Sequence, residues 1–192
     1  MRLSSAPGTG PFGRVWATIF GLFHRNPATN RVVVELAELR PHDRVLDIGC
    51  GVGAALERAA ELVTDGSVTG VDPTEKLARQ AARRVPTARV HVAGAESLPF
   101  PDASFTVAWS ISAFHHWPHQ DAGIAEALRV LEPGGVFHLA ERLTDKPGIH
   151  GLHETEVEDV RLRMQAAGFS TVDWTVHDVD AKPLVVMRAV AP

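Results

Sequence analysis

The 192-residue chain has no tyrosine, one cysteine and no block of like charge. Each shortage excludes something. A nicotinamide-dependent oxidoreductase would need a proton donor such as a Tyr/Lys pair, and a chain without tyrosine cannot supply it. With Cys50 alone there is no internal disulfide, and a reducing, cytoplasmic setting is expected. Lys and Arg number 19 against 23 Asp and Glu, a net charge of −4, so the overall field favours neither nucleic acid nor an anionic membrane surface. No nucleic-acid partner is expected, and the chain is expected to be a monomer or homodimer. The apolar stretch VWATIFGLF, residues 15–23, is too short to cross a bilayer, which takes about 20 residues. The HRNPATNR that follows offers no small-residue cleavage site for a secretory signal, so no stable membrane insertion is expected. Residues 1–25 read instead as an amphipathic segment, either a lid over a substrate or a helix completing the core.

What is present reads as a single globular domain over residues 1–192, with a core from residue 26 onward: 45% of residues are apolar and 22% charged. Short apolar runs alternate with helical periodicity. Pro27 opens a helix with Val32, Val33 and Leu36 on one face, and the first strand follows at residues 44–48. After a glycine-rich turn, Ala55, Leu56, Ala59 and Val63 repeat at helical spacing. Strands are expected at 67–72, in ARVHVA, at 104–111 and at 136–141, with helices at 74–85 and around Ile124–Leu131, the latter stopped by EPGG. Thr155 and Glu158 predict a capping box for a further helix ending at Gly168. STVDWTV and PLVVMRAV then follow with too short a link for a parallel crossover, so they must pair as an antiparallel hairpin. The expected fold is α/β and Rossmann-like: a seven-stranded, mostly parallel sheet with helices on both faces and a C-terminal antiparallel hairpin.

VLDIGCGVG, residues 45–53, places Gly49, Gly51 and Gly53 at alternate positions between the first strand and its helix, with Cys50 among them. Doubly wound sheets bind ligands at such a turn, where bare backbone and a helix N-terminus meet an anionic or nucleotide-like group. Asp72 ends the second strand, 23 residues after Gly49, where a carboxylate can accept hydrogen bonds from both hydroxyls of a ribose.

Four blocks in order, RVLDIGCGVG, VTGVDPTEKLARQA, AGAESLPFPDASFTVAWSISAFHHW and ALRVLEPGGVFHLAE, cover about residues 41–141. Together they resemble the class I S-adenosylmethionine-dependent methyltransferases, in particular the small-molecule group that includes ubiquinone and menaquinone C-methyltransferases. The resemblance implies S-adenosyl-L-methionine as cofactor. It implies that Asp47 helps to hold the methionine amino group, that the glycines form the loop beneath the cofactor, and that Asp72 binds the ribose. Pro73 and Thr74 match positions flanking the adenine, Ala95 and Glu96 match a loop reading its edge, and Ser110 matches a residue facing the methionine end. Gly94 departs from the pattern, which commonly has Asp there.

The reaction so implied is displacement of a methyl group from a positively charged sulfur, which needs alignment, dehydration and a base only if the acceptor must lose a proton. His115 and His116, after the fourth strand, are the candidate bases. Two histidine groups, HHWPH and HGLH, have metal-ligand character, but no cysteine joins them and scattered solvated histidines are expected, with no metal. Phe12, Trp16, Phe20, Phe23, Phe114 and Trp117 suggest an apolar pocket for a small or lipid-like acceptor. A cofactor-binding regulatory or partner protein without transfer activity is the alternative.

Overall fold

The computed structural model describes residues 27–146 and 150–192; the aromatic segment expected to form a lid lies outside them. Helix α1 (Pro27–Leu36) leads into β1 (Arg44–Ile48), α2 (Ala54–Leu62), β2 (Ser67–Val71), α3 (Glu75–Arg84) and β3 (Arg89–His91). There follow β4 (Phe105–Ile111), a 3-10 turn at Phe114–His116, α4 (Gln120–Val130) and β5 (Leu131–Thr144). Strand β6 (Leu152–His153), α5 (Glu154–Ala167), β7 (Thr171–Val179) and β8 (Lys182–Val190) complete the chain.

The main sheet runs β3-β2-β1-β4-β5-β8-β7. Strands β1 to β5 pair in parallel, and β8 lies antiparallel between β5 and β7. From β1 the chain winds outward through β2 and β3, then returns to add β4 and β5 on the other side. That reversal opens a crevice beyond the carboxyl ends of β1 and β4, where open α/β sheets take ligands. The central strands are buried on both faces, which is why β1 reads as an apolar run after Arg44, broken only at Asp47. One face packs on α1 to α3 through Val33, Leu56, Ala59 and Ala81. The other packs on α4 and α5 through Ile124, Ala127, Val160 and Met164.

Three local expectations are corrected. The helix stops at Val130, just before EPGG, but β5 begins at Leu131 and not at Val136: Leu131 already pairs with Phe105, and the shift in register falls between Phe105 and Val107. A short eighth strand, β6, pairs with the end of β5 and has no sequence signature at two residues long. The capping box sits two residues earlier than expected, because the histidine ring is the cap. His153 Nδ1 accepts the Thr155 N–H at 3.3 Å, while the Glu156 carboxylate accepts the His153 N–H at 2.7 Å. The hairpin turns at Asp180 and Ala181, both at positive φ, the two-residue geometry that matches strand twist.

Candidate active site

The β1–α2 loop is built to keep backbone exposed. Gly49, Gly51 and Gly53 all have left-handed φ, at 84°, 54° and 81°. The N–H groups of Gly49 and Cys50 both donate to the Val71 carbonyl, at 2.8 and 2.9 Å, which draws the loop across the end of β2. At Gly49 space is also decisive, since a Cβ there would stand 2.5 Å from that of Ala113. The Asp72 carboxylate ties the loop to the next one: Oδ2 accepts the Gly51 N–H at 3.0 Å and Oδ1 the Thr74 N–H at 2.8 Å.

Above this loop lies a cavity of about 320 Å³. Asp47, Gly49, Cys50, Gly51, Asp72, Pro73, Gly94, Ala95 and Glu96 line it, as the resemblance implies. Gly53 stands behind the loop, against α3. Ser110 is a correction: it is fully buried inside β4, and Ser112, two residues on and beyond the strand end, lines the wall in its place. Trp117, expected in an acceptor pocket, lines this cavity, and so does Asn30, which was not anticipated. Asn30 carries no signal in sequence, because it is brought in by α1, an element remote from the glycine loop.

Burial pushes the Asp47 carboxyl up to about 7; the Trp109 indole N–H offsets part of this without making a close hydrogen bond, and the Asp72 charge adds to it. The consequence for the ligand-free protein has a definite sign. The folded state holds the proton that the unfolded state releases near pH 4, so the Asp47 contribution is complete below about pH 4 and is lost as pH rises through about 7. Asp47→Asn is expected to stabilise the free protein at pH 8, by about 2–4 kcal/mol, and to change little at pH 4. Thermal melts at the two pH values test this, and equal shifts would place the cost elsewhere. Cys50 Sγ is kept as a thiol by burial and by the same two carboxylates, which suits it to packing and not to nucleophilic chemistry.

Gly94 has a neighbour that accounts for it. A Cβ there would lie 2.6 Å from Glu96 Oε2, so the Glu96 carboxylate fills the space a side chain at 94 would enter. Oε2 is buried and has no hydrogen-bond partner. Glu96 is one of the residues lining the cavity, and a buried acceptor without a partner beside it is a ready match for a ligand donor.

The expectation of scattered histidines is corrected for three of them, although His116 and His150 are exposed as expected. His115, His116 and His150 come together, with ring centroids 3.9 Å apart for the first pair and 5.7 Å for each of the others. His119 and His153 instead flank helix starts. His115 is largely buried, and its Nδ1 lies 2.9 Å from Oε2 of Glu141, a buried carboxylate within β5, one residue past its last pairing with β4. The other oxygen accepts the His115 N–H at 3.3 Å, and Nε2 is buried without a partner. Sequence reasoning missed Glu141; a charged residue closing the apolar run VFHLA at the ligand edge of the sheet is the signal that marks it. His138, by contrast, sits in the core of the same strand, where burial, and then the Arg188 charge, push it down to about 4.

His115, His116 and His150 border a second cavity of about 510 Å³, with Gln120, Glu156 and Asp159 among its other walls. His116 lines both cavities, so they adjoin there. The described wall is polar. Phe114, expected to line an apolar pocket, is in the core, and Trp117 faces the first cavity.

Residues 46–139 match a family described as a methyltransferase domain. The chain is 41% identical over 143 residues to the 27-O-demethylrifamycin SV methyltransferase of Amycolatopsis mediterranei, covering 70% of this chain and 52% of that protein. It is 30% identical over 172 residues to the 2-methyl-6-phytyl-1,4-hydroquinone methyltransferase of Synechocystis, covering 76% of this chain and 54% of that protein. The chain thus spans about half the length of these relatives. A crystal structure of an S-adenosylmethionine-dependent methyltransferase from Aquifex aeolicus aligns at a TM-score of 0.74 with 21% identity, covering 93% of this chain and 98% of that one, a likeness of fold. Sequence match and sheet order agree, and residues 46–139 belong to a methyltransferase domain of the class I S-adenosylmethionine-dependent type.

Proposed function

We propose that this chain transfers a methyl group from S-adenosylmethionine to a hydroxyl oxygen of a small-molecule acceptor. The carrying observation is the contact between the two cavities at His116, beside an imidazole, His115, that a buried carboxylate holds by one nitrogen.

The residues of the first cavity fit the cofactor. Asp72 stands in the cavity wall with its carboxylate where ribose hydroxyls would donate, Asp47 offers a carboxylate to the ammonium group, and the glycine loop admits the ligand to bare backbone. The bound cofactor supplies a methyl group on a positively charged sulfur, already activated for displacement. The work left to the chain is alignment, exclusion of water and removal of one proton. With Nδ1–H donating to Glu141, His115 has its Nε2 lone pair free to accept the hydroxyl proton, and Glu141 stabilises the imidazolium that results. A polar cavity wall suits a hydroxyl-bearing acceptor better than the lipid-like one that the aromatic residues suggest.

Adenine is read, in this proposal, by Glu96 in place of the missing Asp at 94. Glu96→Ala should then weaken S-adenosylhomocysteine binding by about tenfold or more, the usual worth of a hydrogen bond to a charged group. Gly94→Asp added to that variant should recover most of the loss, because the space is then vacant. Calorimetry decides: no recovery would leave Glu96 a packing residue.

Transfer itself is tested with methyl-labelled S-adenosylmethionine and a panel of alcohols, phenols, hydroquinones, amines and thiols. Label on a hydroxyl oxygen is the expected result. Tight S-adenosylhomocysteine binding with no transfer to any acceptor would favour a binding protein instead.

A further inference from the structure

We infer that His115, His116 and His150 form a binding site for one borderline divalent cation of the zinc class. The inference goes beyond methyl transfer, since it rests on the side-chain cluster alone.

Two separate segments build the site. His115 and His116 come from the 3-10 turn after β4, and His150 from the segment after β5. Pairing of β6 with the end of β5 holds that second segment in place. Gly151 makes the approach possible: its φ is 129°, and a Cβ there would lie 2.3 Å from the Arg142 carbonyl oxygen. The result is that one ring nitrogen from each of the three histidines lies within 4.8 Å of the others. Tetrahedral zinc with imidazole ligands brings nitrogens to about 3.3 Å of one another, given Zn–N distances of about 2.05 Å. His116 and His150 are exposed, so small rotations can close the gap around the more fixed His115.

The second observation is the support beneath His115. A metal-binding imidazole needs its other nitrogen anchored, commonly on a carboxylate, to fix the tautomer and raise basicity. Glu141 does this at 2.9 Å, and the remaining Nε2 is a buried lone pair without a partner. Proton transfer alone requires one imidazole, whereas three converge. An all-nitrogen, neutral ligand set selects zinc, cobalt, nickel or copper and disfavours magnesium and calcium, which want oxygen. Three protein ligands leave a fourth position toward the polar cavity. Metal binding and proton acceptance use the same His115 lone pair, so the two exclude each other.

The test is titration of the tag-free protein with Co²⁺, read by its visible absorption, followed by displacement with Zn²⁺. One equivalent per chain with intense, tetrahedral-type bands is expected, with no competition from excess Mg²⁺. His116→Ala and His150→Ala should each weaken Co²⁺ binding by tenfold or more, and Glu141→Gln by about 10- to 100-fold through its hold on His115. Calorimetry with S-adenosylhomocysteine on the same variants, expected unchanged for His150→Ala, separates a lost metal site from a lost cofactor site or fold. Absence of stoichiometric Co²⁺ binding, or binding that survives both the His116 and His150 substitutions, would overturn the assignment.

Discussion

Replacing His115 with Asn is expected to lower kcat by about 10² to 10⁴, the usual worth of a positioned base, with S-adenosylhomocysteine affinity unchanged. The split follows from placement: His115 borders the polar cavity and not the cofactor cavity. Its partner gives a control that separates chemistry from packing. Glu141 is fully buried, and His115 supplies both its ring and its backbone N–H to that carboxylate. His115→Ala leaves the buried charge short of a partner, a loss of about 3–5 kcal/mol of stability. Adding Glu141→Gln removes that charge and should restore much of the melting temperature. Turnover should stay low in the double variant, because no imidazole is present to take the proton. If His115→Asn turns over at near-parent rate, catalysis rests on alignment alone and the pair is structural.

Asp47 and the pair of His115 and Glu141 share a design. Each places a carboxylate in the sheet at its carboxyl edge, where the desolvation cost is highest without a ligand or a partner. Glu141 is compensated within the protein by His115. Asp47 is left to hold a proton near neutrality, so ligand-free stability is given up at a position that a cationic ligand group would restore. On this reading S-adenosylhomocysteine should raise the melting temperature more at pH 8 than at pH 6.

How far the sequence foretold this site depends on the kind of signal involved. Short apolar runs and the 3.6-residue period placed the strands and helices, because a sheet covered on both faces forces continuous apolar runs and one-sided helices. The glycine loop and Asp72 were legible since φ and spacing are local properties. The histidine cluster was not. His150 reaches His115 only through the pairing of β6 with β5, a two-residue strand without periodicity. Strand β4 ends at Ile111, as expected, so Ser110, which the resemblance implied, lies inside the strand and Ser112 just beyond it. The helix cap shifted because a histidine ring took a role that sequence preference gives to serine or threonine.

Asp72→Ala is expected to weaken S-adenosylhomocysteine binding by about a hundredfold or more. Loss of two charge-assisted hydrogen bonds to ribose hydroxyls accounts for roughly 1.5 to 3 kcal/mol, or about ten- to a hundredfold. The remainder comes from the loop, because the same carboxylate accepts the N–H groups of Gly51 and Thr74. Without it the left-handed turn at Gly51 loses its tether, and the ligand must order the loop on binding. Asp72→Asn tests the tether separately: its amide group would set a donor against one of those two N–H groups, so loss nearly as large as for Ala is expected in spite of preserved shape. The ligand-free protein supplies an independent reading. Removing the Asp72 charge lowers the Asp47 carboxyl from its value of about 7, so the stability lost with rising pH should be smaller and complete at lower pH in Asp72→Asn than in the parent. Affinity at the parent level in both variants would mean that the ribose is held elsewhere, and an unchanged pH dependence would mean that the two carboxylates do not interact.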